Sequence, residues 1–400
     1  MSFIAPFRAL RPAPDVAADV ASVPYDVVNT EEARALAAGH PLSFLHVTRP
    51  EIDLPAGTNP YDASVYAQAV RNFEELKRAA PLVHDESSLY FYRLRMGAHE
   101  QTGLTGVFSV EEYDRGLIKK HEKTRKDKED DRTRHMTELR AQTGVVFLTY
   151  HASPAVDAIA RRVTATRPLY DFTASDAVVH TMWRVAGDDV HALVAAFAEL
   201  PALYIADGHH RAASASRAHS ALPQSRDAAT FVATAFPDTH VRILPYNRVV
   251  KDLGGKTPGQ LLAALGAIVK PGDGAAIPVR RGDVGMYLAG RWHTLALPPA
   301  PAGTPRADAL DVERLQRLVL EPHLGLGDPR TDKRIDFVGG IRGTAELERL
   351  VTSGHAAAAF SLFPVGIDDL MSIADAGGIM PPKSTWFEPK LRDGLVVHLI

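Results

Sequence analysis

The sequence predicts an α+β fold of mixed strands and helices. Strand-like and helix-like segments follow one another without the regular strand–helix repeat of a doubly wound sheet. Two pairs of β-rich runs are separated by short Gly-containing turns, as hairpins require. Short, wholly apolar runs such as Ala202–Ala206 and Phe231–Phe236 read as strands buried on both faces.

Taken in order, residues Met1 to Pro50 are strand-and-turn text. Proline fixes φ at Pro6 and Pro24 and breaks any helix there. Asn29-Thr30-Glu31-Glu32 caps a short helix over Glu31–Ala38, and Ser43–Val47 alternates as a strand. Tyr61–Arg78 carries Val65, Ala69, Phe73 and Leu76 at helical spacing and reads as an amphipathic helix. Ser88–Met96 and Gln101–Val110 form a hairpin about Gly97-Ala98-His99-Glu100. A charge run from Lys119 to His135 leads through a helix-like stretch to the apolar strand Val145–Tyr150. Val185–Leu200 reads as a helix, Ala202–Ala206 as a strand, Ala212–Ser220 as a helix and Phe231–Phe236 as a strand.

Beyond Lys251 the texture changes. Thr257–Val269 is helical and ends at the break Pro271-Gly272-Asp273-Gly274. Val284–Leu288 and Trp292–Leu297 form a second hairpin. Pro298–Pro305 is a Pro-rich loop or linker. Helices are expected at Leu310–Leu320, Glu346–Ser353 and from Gly366, a buried strand at Ala356–Phe363, and a Pro-punctuated loop at Met380–Lys390. Gly339-Gly340-Ile341-Arg342-Gly343 lacks Walker spacing and reads as a turn. The expected division is 1–250 for a core with an N-terminal extension and an insertion, and 251–400 for a C-terminal α/β part.

Composition narrows the chemistry. The chain has 400 residues, 46% of them hydrophobic and 23% charged, ordinary for a globular protein of two or three modules. A formal net charge of -3 gives no global positive excess, so nucleic acid is not an expected partner. With 0 Cys, disulfides, thiolate metal sites and cysteine nucleophiles are excluded. No secretory signal is read at the N-terminus, and the apolar windows are too short to span a bilayer. The expectation is a cytoplasmic protein without membrane contact.

Three constellations carry chemistry. The first is Ile205-Ala206-Asp207-Gly208-His209-His210-Arg211, where a buried strand turns through Gly208 into a helix. Open backbone N–H groups and the helix dipole make such a start a seat for an anion. Arg211 is suited to grip a phosphate bidentately, and Asp207 to hold Mg2+ or orient a histidine. The plainer reading is a structural cap with surface histidines. The second is Lys119-Lys120-His121-Glu122-Lys123-Thr124, with Asp130, Asp131 and Arg132 beyond. It reads either as a solvated helix face or as a carboxylate delivered by a strand end to act as general base. The third is Met380-Pro381-Pro382-Lys383-Ser384-Thr385-Trp386-Phe387-Glu388-Pro389-Lys390, a stiff loop whose Lys383, Ser384 and Thr385 hold phosphate oxygens or whose aromatic pair docks into the core. His151, His180 and His191 are isolated and read as core or surface residues. Pro24-Tyr25-Asp26 is a turn whose Tyr–Asp pair would suit a substrate.

In this order the three motifs resemble those of the free serine kinases of the ParB/sulfiredoxin-like superfamily. The resemblance implies a nucleotide-binding core of that type within the α+β fold, with additional α/β regions. It implies Glu122 as the base that activates a serine hydroxyl, and His209, His210 and Arg211 on the phosphates. It further implies that Lys383, Ser384 and Thr385 close the site. The chain is longer than those kinases, with an extra N-terminal part and a large insertion between Glu122 and Asp207. The whole chain also resembles the bacterial domain-of-unknown-function family one thousand and fifteen. That likeness rests on Pro6-Phe7-Arg8-Ala9-Leu10-Arg11-Pro12, Pro24-Tyr25-Asp26-Val27-Val28, His121-Glu122-x-Thr124 and the C-terminal Lys-Ser-Thr loop.

The expected function is therefore a small-molecule kinase, a phosphotransferase with an alcohol acceptor. It would move a phosphoryl group from ATP or ADP, with Mg2+, onto free serine or a similar hydroxy compound. Glu122, Asp207 and His209 would do the chemistry. Gly208, His210, Arg211, Lys383, Ser384 and Thr385 would hold the nucleotide, with His121, Thr124 and Arg132 at the substrate or behind it. Two other classes compete. A ParB-like nucleotide switch that binds DNA or a partner without turnover would show steep salt dependence. A metal-dependent hydrolase using His121, Glu122, His209 and His210 would hold stoichiometric zinc.

Overall fold

The computed structural model describes residues 3–80, 82–272 and 274–400. Asp273, part of the expected Pro/Gly break, lies outside them. The chain forms two compact units, one of Met1–Val241 with Pro389–Ile400, the other of Arg242–Glu388. The border expected at 250 thus falls at Arg242, and the last residues belong with the first unit. The reason is strand pairing. Tyr246–Val250 lies inside the second unit's sheet, whereas His398–Leu399 pairs with Ala141–Gln142 and Val397 with Leu10.

The first unit is built on a nine-stranded mixed sheet. Its strands are β1 (Ile4–Ala5), β2 (Tyr90–Met96), β3 (His99–Ser109), β4 (Ile118–Lys119), β5 (Val146–Tyr150), β6 (Tyr170–Thr173), β7 (Val179–Arg184), β8 (Leu203–Asp207) and β9 (Thr230–Pro237). They lie in the order β4-β8-β5-β9-β3-β2-β7-β6, with β1 on β3. β4 runs parallel to β8, and β5 parallel to β9; the other neighbours are antiparallel. This mixture is the expected α+β class. The hairpin β2–β3 closes through Gly97 at φ 60, with Met96 opposite His99.

The longer helices of this unit are α1 (Thr30–Ala37), α2 (Ala63–Ala79), α3 (Lys126–Leu139), α4 (Pro154–Thr164), α5 (Asp188–Ala198) and α6 (His209–Ala221). Asn29 and Glu32 form a reciprocal capping box on α1, satisfying two N–H groups the helix cannot. α2 buries Val65, Ala69, Phe73 and Leu76, the stripe its spacing predicts. Phe91, Phe108, Leu148, Ile205 and Phe231 meet in one core; burying such a side chain contributes ~1.5–3 kcal/mol. Ser43–Val47, expected as a strand, leads instead into the short helix Leu45–Thr48. Phe44, Leu45 and Val47 are all buried and His46 keeps 24% of its side chain exposed, so neighbouring residues face the core together and the alternation of a strand does not report burial.

The second unit holds β10 (Tyr246–Val250), β11 (Asp283–Leu288), β12 (Arg291–Ala296), β13 (Ile335–Gly339) and β14 (Ala358–Leu362). They form an antiparallel sheet in the order β12-β11-β14-β10-β13. Pro298–Pro305 is a loop inside this unit. The expected loop Met380–Lys390 contains a two-residue strand, Trp386–Phe387, on Ile243–Leu244. Among the described residues no helix is long and apolar enough to cross a membrane.

Candidate functional site

Strand β8 ends at Asp207, and Gly208 at φ 96, ψ 29 turns the chain into α6. That left-handed conformation is strained for a residue with a Cβ. A Cβ here would also stand 3.3 Å from the Arg211 guanidinium. α6 starts with no side-chain cap, so its first N–H groups and dipole are available to an anion. Beside it, β4 runs parallel to β8, with Ile118 opposite Leu203 and Lys119 opposite Tyr204. Parallel pairing brings both C-terminal strand ends to the same sheet edge. His121 and Glu122 thus leave β4 where His209 begins α6.

The contacts follow from that placement. The rings of His121 and His209 meet edge to face, centroids 4.4 Å apart. The His121 N–H donates to His209 Nε2 at 3.4 Å, which leaves the ring proton on Nδ1. His209 Nδ1 stands 3.9 Å from Glu122 Oε2. Burial pushes His121 down to about 4. Burial, then His121 itself, holds His209 well below the ordinary imidazole value. Both rings are neutral at pH 7. Glu122 keeps 43% of its side chain exposed. One ligand atom from each of His121, Glu122 and His209 lies within 4.8 Å of the other two. Next along α6, His210 Nε2 accepts the Arg125 N–H at 3.0 Å.

Behind this corner lies a buried charge network. Asp207 accepts from Lys390 Nζ at 3.0 Å and stands 3.9 Å from Arg211 Nη2. Burial works against its negative charge, but Lys390 and Arg211 outweigh it and hold the carboxyl well below the usual range. Arg211, expected to grip a phosphate, is turned inward and is 3% exposed. It donates to the Val145 carbonyl and, at 3.1 Å, to Asp26. Gly144 leaves it room: a Cβ there would stand 3.0 Å from Arg211 Cδ. Asp393 is 0% exposed, and among the described residues its oxygens meet no hydrogen-bond donor at good geometry. Burial pushes it up to about 7.

The other expected site residues have partners of their own. Thr124 donates to Glu129, fastening the motif to α3. Arg132 pairs with Asp131 at 2.8 Å and lies 4.3 Å over the Tyr25 ring, so it braces the Tyr25-Asp26 turn. Lys383, Ser384 and Thr385 belong to the second unit. There Ser384 Oγ donates to the Pro381 carbonyl at 2.6 Å, and Lys383 Nζ lies 5.3 Å from the Tyr246 ring centre. His180, read as isolated, is a core residue bonded to the Tyr92 hydroxyl at 2.8 Å. Lys390 and Asp393 were missed as network members. Nothing local in Pro389-Lys390-Leu391-Arg392-Asp393 marks them, since their partners are far away in sequence.

A model of the family described as Protein of unknown function (DUF1015) matches residues 4–315. Among solved structures, a free serine kinase in complex with AMP is similar at 11% identity and TM-score 0.36, covering 73% of this chain and 91% of that one. SbnI with a C-terminal truncation, from Staphylococcus aureus, is similar at 10% identity and TM-score 0.40, covering 74% and 87%. A conserved hypothetical protein from Pyrococcus furiosus is similar at 13% identity and TM-score 0.36, covering 74% and 95%. No curated protein matches the chain.

Proposed function

The chain belongs to the DUF1015 family, and we propose that its first unit is a phosphotransferase acting on an alcohol. It moves the terminal phosphoryl group of ATP or ADP onto free serine or a similar small hydroxy compound. One observation carries the reading. The uncapped start of α6 and the half-exposed Glu122 carboxylate leave neighbouring parallel strands, with His209 standing 3.9 Å from that carboxylate.

Phosphoryl transfer asks little covalent chemistry of the protein and much positioning and charge stabilisation. The first amides of α6 seat the phosphates, and the helix dipole adds ~0.3–1 kcal/mol toward an anion. Lys390 and the His210 ring add positive or donor character at the same corner. Glu122 takes the proton of the acceptor hydroxyl as the new O–P bond forms and the bond to the leaving nucleotide breaks. His209, kept neutral by burial, flanks Glu122 with Nδ1 3.9 Å from the carboxylate. Arg211 holds Asp207 and the Tyr25-Asp26 turn in place. Mg2+ arriving with the phosphates supplies charge neutralisation, and Asp207 is the carboxylate whose position beside the helix start suits it.

The test is incubation with ATP or ADP, Mg2+ and a panel of small hydroxy-amino acids, with phosphorylated product followed by mass spectrometry. Glu122→Gln should lower turnover by ~10²–10⁴-fold, the usual worth of a general base, while nucleotide affinity stays near that of the parent. Wild-type turnover in this variant would remove Glu122 from the role. Absence of product with every acceptor and both nucleotides would remove the function.

A further inference from the structure

We propose that His121, Glu122 and His209 bind one divalent transition ion of the zinc or manganese class, which holds the hydroxyl of the acceptor. Metal bonds of ~2.0–2.2 Å to imidazole nitrogen and carboxylate oxygen put two ligands of one ion roughly 3–4 Å apart. The 3.9 Å between His209 Nδ1 and Glu122 Oε2 is too long for a hydrogen bond and suits a shared ion. Ligand atoms of all three residues fall within 4.8 Å of one another.

An independent observation comes from His121. It is 2% exposed, and its Nδ1 has no hydrogen-bond partner among the described residues. A buried polar atom left in this state needs an occupant. The Ile205 backbone bonds the same ring, and with Nδ1 unpaired that bond falls on Nε2. A backbone partner on the second nitrogen is how ligating imidazoles are commonly oriented. On His209 an ion at Nδ1 displaces the ring proton to Nε2, giving up the 3.4 Å contact with the His121 N–H.

Two imidazoles and one carboxylate suit a borderline ion better than Mg2+ or Ca2+, which take oxygen ligands. Three ligands also leave positions open. What the ion does there rests on the phosphotransfer reading. A hydroxyl bound in an open position becomes more acidic. Its proton passes to the second oxygen of Glu122, its oxygen bonds to phosphorus, and the nucleotide leaves with the electrons of the broken P–O bond.

The full chain, stripped of metal by a chelator, is titrated with Zn2+ and separately with Mg2+ by calorimetry, and with Co2+ by visible absorption. One Zn2+ per chain is expected, with Mg2+ much weaker and a Co2+ ligand-field band appearing. His121→Asn and Glu122→Gln should each weaken Zn2+ by more than the ~10–100-fold typical of losing an outer-shell partner. His210→Ala should leave Zn2+ affinity unchanged. Glu122 is half-exposed, so its variant tests the site even if the buried His121 variant does not fold. Absent stoichiometric Zn2+, or affinity indifferent to Glu122→Gln, overturns the ion. Product formed with Mg2+ by a protein that binds no Zn2+ overturns the ion alone, whereas Zn2+ binding without any product overturns the phosphotransfer reading alone.

Discussion

Each unit buries one arginine to 3% exposure, and the two are treated differently. Arg211 in the first unit is ringed by carboxylates: Asp26 at 3.1 Å, Asp207 at 3.9 Å, and the charge of Asp393. Burial opposes its charge, but these acids outweigh burial and hold the guanidinium above its ordinary value. Arg248 in the second unit has carbonyls instead. It donates to Tyr246 and, at 3.1 Å, to Pro382, and lies 5.3 Å from the Phe337 ring centre. Burial, with Tyr246 and Glu313 pulling weakly the other way, brings it down to about 10. The first unit therefore embeds charge in charge beside α6. The second uses a cation as a pin for the backbone before Lys383.

The largest expected effect follows directly. Arg211→Met leaves Asp26, Asp207 and Asp393 facing one another with one buried cation fewer. Removing one partner of a fully buried pair costs about 3–5 kcal/mol, and the 36% exposure of the Asp26 side chain puts the loss here at the lower end of that range. Arg248→Met strands only carbonyl groups, at about 1–3 kcal/mol, and also removes a charge that burial disfavours. Urea denaturation of both variants measures the difference. Equal losses would mean that the acids around Arg211 contribute nothing, and the contrast between the units would fall.

Asp393 sharpens the contrast through pH. Its folded value of about 7 lies above the ~3.9 of an unfolded Asp, so the folded chain binds this proton more tightly. Below pH ~4 both states are protonated and the residue is neutral to stability. Between pH ~4 and about 7 the unfolded state ionises first, and stability falls. Above that window the loss is constant, at most about 4 kcal/mol from ~1.4 kcal/mol per unit. Asp393→Asn should therefore raise the melting temperature at pH 8 and leave it unchanged near pH 4. A gain of equal size at both pH values would show that Asp393 is not carrying the charge.

The same residues mark how far the sequence could be read. The corner at Asp207–Arg211 was legible because every part is local: an apolar strand, a glycine and a helix start within one short run. The delivery of Glu122 was legible as a strand end, but its neighbour was not, because parallel pairing of Ile118 with Leu203 leaves no local trace. Arg211 was read by its donor geometry as a phosphate clamp. The competing term is Asp26, 185 residues away, which the turn Pro24-Tyr25-Asp26 brings against it. Arg132 was drawn toward the site by its place in a charge run, yet its ring contact with Tyr25 is set by α3 packing. Ser43–Val47 failed for a simpler reason: Phe44, Leu45 and Val47 are buried together, and so short a run carries no clear period.

The smallest effects test how each unit makes a left-handed turn. Among several such turns in each, Gly208 at φ 96 serves the corner of the first and Lys383 at φ 56 the C-terminal loop of the second. Gly208→Ala should cost about 1–2 kcal/mol, the penalty of a Cβ in that region, with crowding of the Arg211 guanidinium on top. Gly208→Asn should cost less in backbone strain, since Asn visits this region more readily. Lys383→Gly relieves a similar strain. It also gives up the contact between Nζ and Tyr246, ~0.5–1 kcal/mol at an exposed site, and frees the unfolded chain by ~0.4–1 kcal/mol. These terms oppose one another, so its measured stability should stay within about 1 kcal/mol of the parent. A loss as large as that of Gly208→Ala would show that the second unit depends on the Lys383 side chain more than on its backbone, which would erase the difference between the two turns.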